Sequence, residues 1–435
     1  MSNPRPRVGS IPGDAADSPP THHEAGMPSA PAHQFARSTL LAVAALLFAP
    51  TAQALPPLQL YVELTAPGEV LTPPPGEYAG PVVIDKPITL DGRGEVTVDG
   101  GGDGTVLSIQ ADGATVRGMH ITGSGESHNS VDAGVLIEAD GTTVEDNRMD
   151  DVLFGVHIKG GNRNTIRGNT IRSKPTKASL RGDGVRLWYG RENVIADNTF
   201  IEIRDLMITN STNNRIEGNT IRDSQVGIEF VYSPDNLVRD NTFSHNSTGI
   251  IVLYSDGVVI RDNRLEHIRS ASGRALAIKE SARVVMETNE IIHCTIGLAA
   301  NDPTHPENVF HARGNRFAYN NIAIYFYGET GGHVLEGNRF ENNLTNVAVS
   351  APVAARFNTW RGNYWDDYQG FDRDGDGIGD VPHEIYAYAD MMWMDWPWIS
   401  FFRASPVLEM IDFVERLAPF SEPPLVLRDP KPRVR

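Results

Sequence analysis

Through the middle of the chain one line of apolar and polar residues is written again and again: apolar, any, Gly or Asp, Asn, any, apolar. Its Asn falls at Asn147, Asn169, Asn198, Asn219, Asn241, Asn263, Asn315 and Asn338, with the variant TNEI at Asn289 and weaker copies at Met119 and Asn363. Successive markers stand mostly 21 to 26 residues apart, with one interval of 29. A period in the twenties admits two solenoids, the leucine-rich repeat and the parallel β-helix. The first needs leucines in a fixed frame and a helical return. Here the apolar positions are Ile, Val and Phe at period two, as in VIADNTF and LVRDNTF, with no amphipathic helical stretch between copies. The pattern predicts an all-β chain: a right-handed parallel β-helix of about 22-residue coils, ending in a short helical and aromatic segment.

Coils stacked at the spacing of paired strands, about 4.8 Å, set each marker Asn over the next. Asn tolerates left-handed backbone at a corner, and its amide bonds the equivalent amide above and below, so the markers are expected to be a structural ladder and not ligands. Two residues on, Met149, Ile171, Phe200, Ile221, Phe243, Leu265, Ile291, Phe317 and Phe340 are expected to stack inside as an apolar column. A single coil cannot bury its own core, which is why the line repeats. Four residues past the markers come Asp151, Ser173, Glu202, Asp223, His245, His267, His293, Tyr319 and Asn342. Three histidines on successive coils at one offset make His245, His267 and His293 a candidate N-donor site for copper. The competing expectation is a solvated turn column. Cys294 adjoins His293 but points to the opposite face if that pair is extended.

Composition changes this picture mainly by exclusion. A formal net charge of -17 argues against a nucleic-acid partner or a broad patch for anionic lipid, and suits cations better. Cys294 is the only cysteine, so no intrachain disulfide is expected. Arg37 precedes STLLAVAALLFAPTAQA, a positive charge, an apolar run and a small-x-small cleavage site. Residues 1–54 therefore read as an export signal, with Met27 as an alternative start and a mature chain in the periplasm. Residues 55–361 are the predicted β-helix.

After Gly362 the rhythm breaks into GNYWDDYQGFDRDGDGIGD, a separate region over 362–390. Asp372, Asp374, Asp376 and Asp380 match the first nine positions of a D-x-D-x-D-G-x-x-D loop, in which alternate carboxylates converge on calcium or another hard cation. The closing Glu is absent, with His383 in its place. Residues 391–435 open on Met391, Met392 and Met394, candidate thioether ligands for copper or an adaptable apolar patch. Trp393, Trp396, Trp398, Phe401 and Phe402 follow, then a predicted helix from Ser405 and Pro406 carrying Leu408, Ile411, Val414 and Leu417. Its apolar residues cover most of the circumference, so a partner surface is expected there. For a carbohydrate site the sequence offers little: LWYGRE, with Trp188, Tyr189 and Arg191, could stack a sugar but supplies no paired acid at a fixed offset.

PGEYAGPVVIDKPITLDG opening the coils, the Asn repeats, GNYWDDYQGFDRDGDGIGD and SPVLEMIDFVERLAPF together resemble the NosD family of periplasmic maturation proteins for nitrous oxide reductase. The similarity runs from about Pro75 to Pro419. The resemblance implies a non-enzymatic partner of an ABC transporter permease and its ATPase, accepting Cu(I) from a copper chaperone for the centres of nitrous oxide reductase. Membrane contact would come only through the transporter. The alternatives are a carbohydrate-active or carbohydrate-binding β-helix of the periplasm or cell surface, and a self-assembling surface protein.

Overall fold

The computed structural model describes residues 54–301, 305, 307–328, 331–350, 355–386, 405–407, 410, 413–414 and 425–434. Nearly all described regular structure is parallel strand. Most coils contribute three short strands, two to a 24-stranded sheet and one to a 12-stranded sheet. One coil runs Val194–Ala196, Thr199–Ile201 and Leu206–Thr209. In-register pairing carries Ile195 onto Ile216, Phe200 onto Ile221 and Leu206 onto Ile228. The chain is thus a parallel β-helix, as the period requires.

The predicted interior column holds at every step: Met149, Ile171, Phe200, Ile221, Phe243, Leu265, Ile291, Phe317 and Phe340 are all fully buried. Phe340 then stacks on Trp365, with centroids 4.2 Å apart and planes 8° from parallel. The ladder is also present. Asn219 is typical, its backbone N–H and its amide Nδ2 both donating to Asn241 Oδ1, at 2.9 and 3.0 Å. The same amide also donates to Ile195 O at 2.8 Å, so one side chain satisfies buried groups on three coils.

One expectation needs correcting. The left-handed residue at this corner is the one before each Asn: Asp146, Gly168, Asp197, Gly218, Asp240, Asp262, Thr288, Gly314, Gly337 and Gly362 all have φ between 53° and 68°. The motif asks for Gly or Asp there because those residues bear that conformation most easily. Asn itself is selected for its amide.

Both ends are capped. A short helix, Gln59–Leu64, covers the first coil with Leu58 and Val62, and Gln59 Oε1 accepts Val83 N–H at 2.8 Å. At the other end the strand Leu425–Asp429 pairs antiparallel with His383–Tyr386 and buries Val426 and Leu427. There Asp429 takes the place of the next ladder Asn, accepting from Asn363 N–H at 3.0 Å and from Asn363 Nδ2 at 2.9 Å. Part of the predicted C-terminal docking element, residues 425–434, is therefore the lid of the solenoid.

Candidate functional site

Three regions carry the residues singled out from the sequence. The first is the turn column. His245, His267, His293 and Tyr319 all adopt φ of 55° or 56°, so each side chain leaves its coil in the same direction. The imidazoles stack at 5.0 and 5.2 Å with planes 21° and 6° apart, and Tyr319 continues the stack at 5.1 Å. His245 is exposed and the other two are half-buried. None of the three rings has a hydrogen-bond partner among the described residues, so their nitrogens are available as donors. Face-to-face stacking keeps those donors parallel and does not gather them at one point. The residue type fits copper, while the stacked arrangement is that of a turn column. Burial, with the neighbouring imidazoles, lowers the His267 pKa. Cys294 takes no part: its Sγ is inside the core, donating to Ile292 O at 3.3 Å, and burial pushes its pKa up to about 12.

The second region is the aspartate loop. Oxygens of Asp372, Asp374 and Asp376 lie within 4.8 Å of one another, the only such carboxylate, imidazole or thiol group among the described residues. Asp372 organises the loop, accepting Gly375 N–H at 2.7 Å and Gly377 N–H at 2.9 Å, and those bonds, that from Gly377 foremost, lower its pKa. Asp380 does not join the cluster; its Oδ2 accepts Arg373 N–H at 2.8 Å. His383, where a closing ligand would stand, is buried against Trp365 at 4.7 Å and ends the aromatic column instead. The three carboxylates, Asp372 half-buried and Asp374 and Asp376 exposed, suit a hard cation better than copper. Adding calcium is expected to raise the melting temperature of the C-terminal coils by a few degrees, and Asp374→Ala to abolish that rise. Identical melts of the two proteins with calcium and with chelator would count against a cation there.

The third region is the C-terminal segment. Met391, Met392, Met394, Trp393, Trp396, Trp398, Phe401, Phe402, Leu408, Ile411 and Leu417 lie outside the described residues. Pro406, Val407, Met410, Phe413 and Val414 are helical, and Val407, Met410 and Phe413 are 64%, 64% and 60% exposed. Val414, predicted to meet a partner, is also exposed.

Sequence reading missed a fourth group. The buried Asp183 and Asp205 and the half-buried Arg186 and Arg204 form an ionic network on the outer side of the 12-stranded sheet. A signal for it existed: Asp205 interrupts the column Gly155, Gly184, Gly227, Gly249, Ala275, Gly297, which is otherwise Gly or Ala.

A pitch fixed by stacked Asn, two capped ends and an acidic loop at the final coil define a parallel β-helix protein with a specialised C-terminal end. Residues 168–370 match the family model of NosD, the periplasmic copper-binding protein. The chain is 26% identical over 414 residues to the "probable ABC transporter binding protein NosD" of Pseudomonas aeruginosa, covering 83% of this chain and 87% of that protein. With the protein of the same name from Stutzerimonas stutzeri it shares 29% over 419 residues, 90% of this chain and 93% of that one. The similarity to NosD proteins therefore spans most of the chain. Among solved structures it is similar to the A-module of the mannuronan C-5 epimerase AlgE4 of Azotobacter vinelandii, at 13% identity and a TM-score of 0.49, over 67% of this chain and 92% of the module. No described helix is long and apolar enough to cross a membrane.

Proposed function

We propose that this chain is a periplasmic, non-catalytic accessory subunit of an ABC transporter, and that it takes copper from a chaperone and delivers it for the copper centres of nitrous oxide reductase. The match of residues 168–370 to the periplasmic copper-binding family carries the reading. Two relatives named as transporter binding proteins support it. The structure adds a physical basis for each half. A helix that leaves Val407, Met410 and Phe413 in solvent is an apolar face suited to a membrane permease. A column of partner-free imidazoles on an acidic protein is a surface suited to a soft cation in transit. The methionine cluster at Met391, Met392 and Met394 is the alternative seat for that cation.

The test is co-expression with the permease and its ATPase, capture through this chain, and measurement of copper on the captured protein. The permease is expected to co-purify and the captured protein to carry copper. His245→Asn, His267→Asn and His293→Asn together are expected to remove the copper while leaving the circular-dichroism spectrum and the permease in place, since the rings bond nothing else. Capture without permease would overturn the transporter role. Undiminished copper in the triple variant would move the seat to the methionines.

A further inference from the structure

The turn that follows the 12-stranded sheet repeats a short line of its own, FVYSPD from Phe230 and VLYSDG from Val252. Its Ser points inward and stacks: Ser233, Ser255 and Ser281 are buried, Ser233 N–H donates to Ser255 Oγ at 2.9 Å, and Ser255 N–H donates to Ser281 Oγ at 2.9 Å. The residue before each Ser leaves the coil from left-handed backbone, with φ of 51° at Tyr232, 49° at Tyr254 and 46° at Glu280. Asn210 holds the same place one coil earlier, at φ 49°. Asn adopts that conformation readily, whereas a tyrosine adopts it at a cost in backbone strain. Burial does not offset the cost, since Tyr232 is 58% and Tyr254 44% exposed. The two rings stack on each other, centroids 5.1 Å apart and planes 14° from parallel, and neither hydroxyl has a hydrogen-bond partner among the described residues. Strained, exposed and aromatic side chains held on a rigid ladder point to something bound from outside.

These tyrosines line a cleft of about 570 Å³ together with Asp256, Glu280, His305 and Asn308. That volume falls in the range of small-molecule sites, about 300–1,000 Å³. The chain itself fixes both carboxylates: Asp256 Oδ1 accepts Ala282 N–H at 2.8 Å, Glu280 Oε1 accepts from Asn301 Nδ2 at 3.2 Å, and Glu280 Oε2 accepts from Asn308 Nδ2 at 3.0 Å. His305 is exposed, and its ring bonds no other described residue. Two carboxylates line the cleft and, among the described residues, no Lys or Arg does, so an anionic ligand is repelled. A cation gains less than the acids suggest, because Arg283 Nη2 lies 3.9 Å from Asp256 Oδ2 and amides already hold Glu280. Carboxylates held in place are directed acceptors for hydroxyl groups, and a tyrosine offers an apolar ring with a polar tip. Hydroxyls around an apolar C–H framework are the chemistry of an uncharged sugar.

We infer that this cleft binds a short uncharged oligosaccharide, its ring carbons against Tyr232 and Tyr254 and its hydroxyls on Asp256, Glu280, His305 and Asn308. The site occupies the turn after the 12-stranded sheet, while the histidine column occupies the turn before it. It rests on neither the copper nor the transporter reading.

The test is isothermal titration calorimetry of the whole chain with the uncharged trisaccharides maltotriose, cellotriose and N-acetylchitotriose, against trigalacturonate and the cation spermidine. At least one uncharged trisaccharide is expected to bind saturably, and about tenfold or more tighter than trigalacturonate. Tyr232→Asn and Tyr254→Asn place at these turns the residue already present at Asn210, so both variants are expected to melt no lower than the wild type. Each is expected to weaken sugar binding about tenfold. Failure of every uncharged trisaccharide to bind saturably, equal affinity for trigalacturonate, or wild-type affinity in both folded variants overturns the site. Tighter binding of spermidine than of any sugar also overturns it and makes the cleft a cation site.

Discussion

Asp429→Ala is expected to unfasten the C-terminal coils while leaving the middle of the ladder intact. Asp429 is fully buried and collects the donors with which the ladder would otherwise end open: Asn363 N–H, Asn363 Nδ2, Gly362 N–H at 3.3 Å and Trp365 Nε1 at 3.3 Å. Alanine leaves the buried Asn363 N–H and Trp365 Nε1 and the part-buried Gly362 N–H without this acceptor, and leaves Asn363 Nδ2 only Leu335 O. At about 1–3 kcal/mol for each buried donor left unpaired, only partly recovered by relaxation, the loss is roughly 3–6 kcal/mol. Stability in a solenoid is a sum of coil and neighbour terms, so the damage falls on the last coils first. Hydrogen exchange is the readout: the amides of Gly362 and Asn363 should lose protection by orders of magnitude, and those of Asn198 and Asn219 should keep it. Asp429→Asn retains a carbonyl acceptor and is expected to cost less than half as much. Unchanged exchange at Gly362 and Asn363 in the Ala variant would show that the strand Leu425–Asp429 does not hold the end.

That cap was invisible in the sequence, and the reason is physical. The coil pitch, the Asn ladder and the apolar column are legible because one constraint, stacking at fixed spacing, acts identically on every copy and leaves the same mark each time. A cap acts once. Asp429 is 66 residues from Asn363, in a stretch with no repeat, and nothing in VLRDPKPRVR announces that its Asp imitates an Asn. The helix Gln59–Leu64 went unread for the same reason. The histidine column shows the opposite limit. Its spacing was legible because it repeats, but the orientation of the rings depends on left-handed backbone at His245, His267 and His293, which a residue count does not supply. Asp380 and His383 fit the spacing of a metal loop, yet local bonding claims one and the aromatic column the other. Asp183 and Asp205 escaped notice because they occupy different positions in their coils, so no fixed offset relates them. What could be read was their environment: an Asp in a column of Gly and Ala has no room to be ordinary.

Replacing Val407, Met410 and Phe413 together with Gln is expected to abolish capture of the transporter without touching the fold. The three side chains are exposed on helical residues, so their removal takes away nothing the solenoid buries. Polar replacements on an exposed apolar face change stability by no more than about half a kcal/mol each, and the melting curve should superimpose on that of the wild type. At an interface the same residues behave differently. Apolar side chains seated in a partner contribute about 1–1.5 kcal/mol each, so losing three weakens association by roughly a hundredfold to a thousandfold. Affinity capture with the permease reads this directly, with Leu60 and Leu64 at the opposite end of the solenoid as the control, since they are also exposed and apolar but lie on the N-terminal cap. Loss of capture in the C-terminal variant alone would assign the docking face to the segment after Pro406. Loss in the N-terminal variant alone would place the transporter at the other end of the β-helix, and capture by both at wild-type level would remove the apolar ends from the interface altogether.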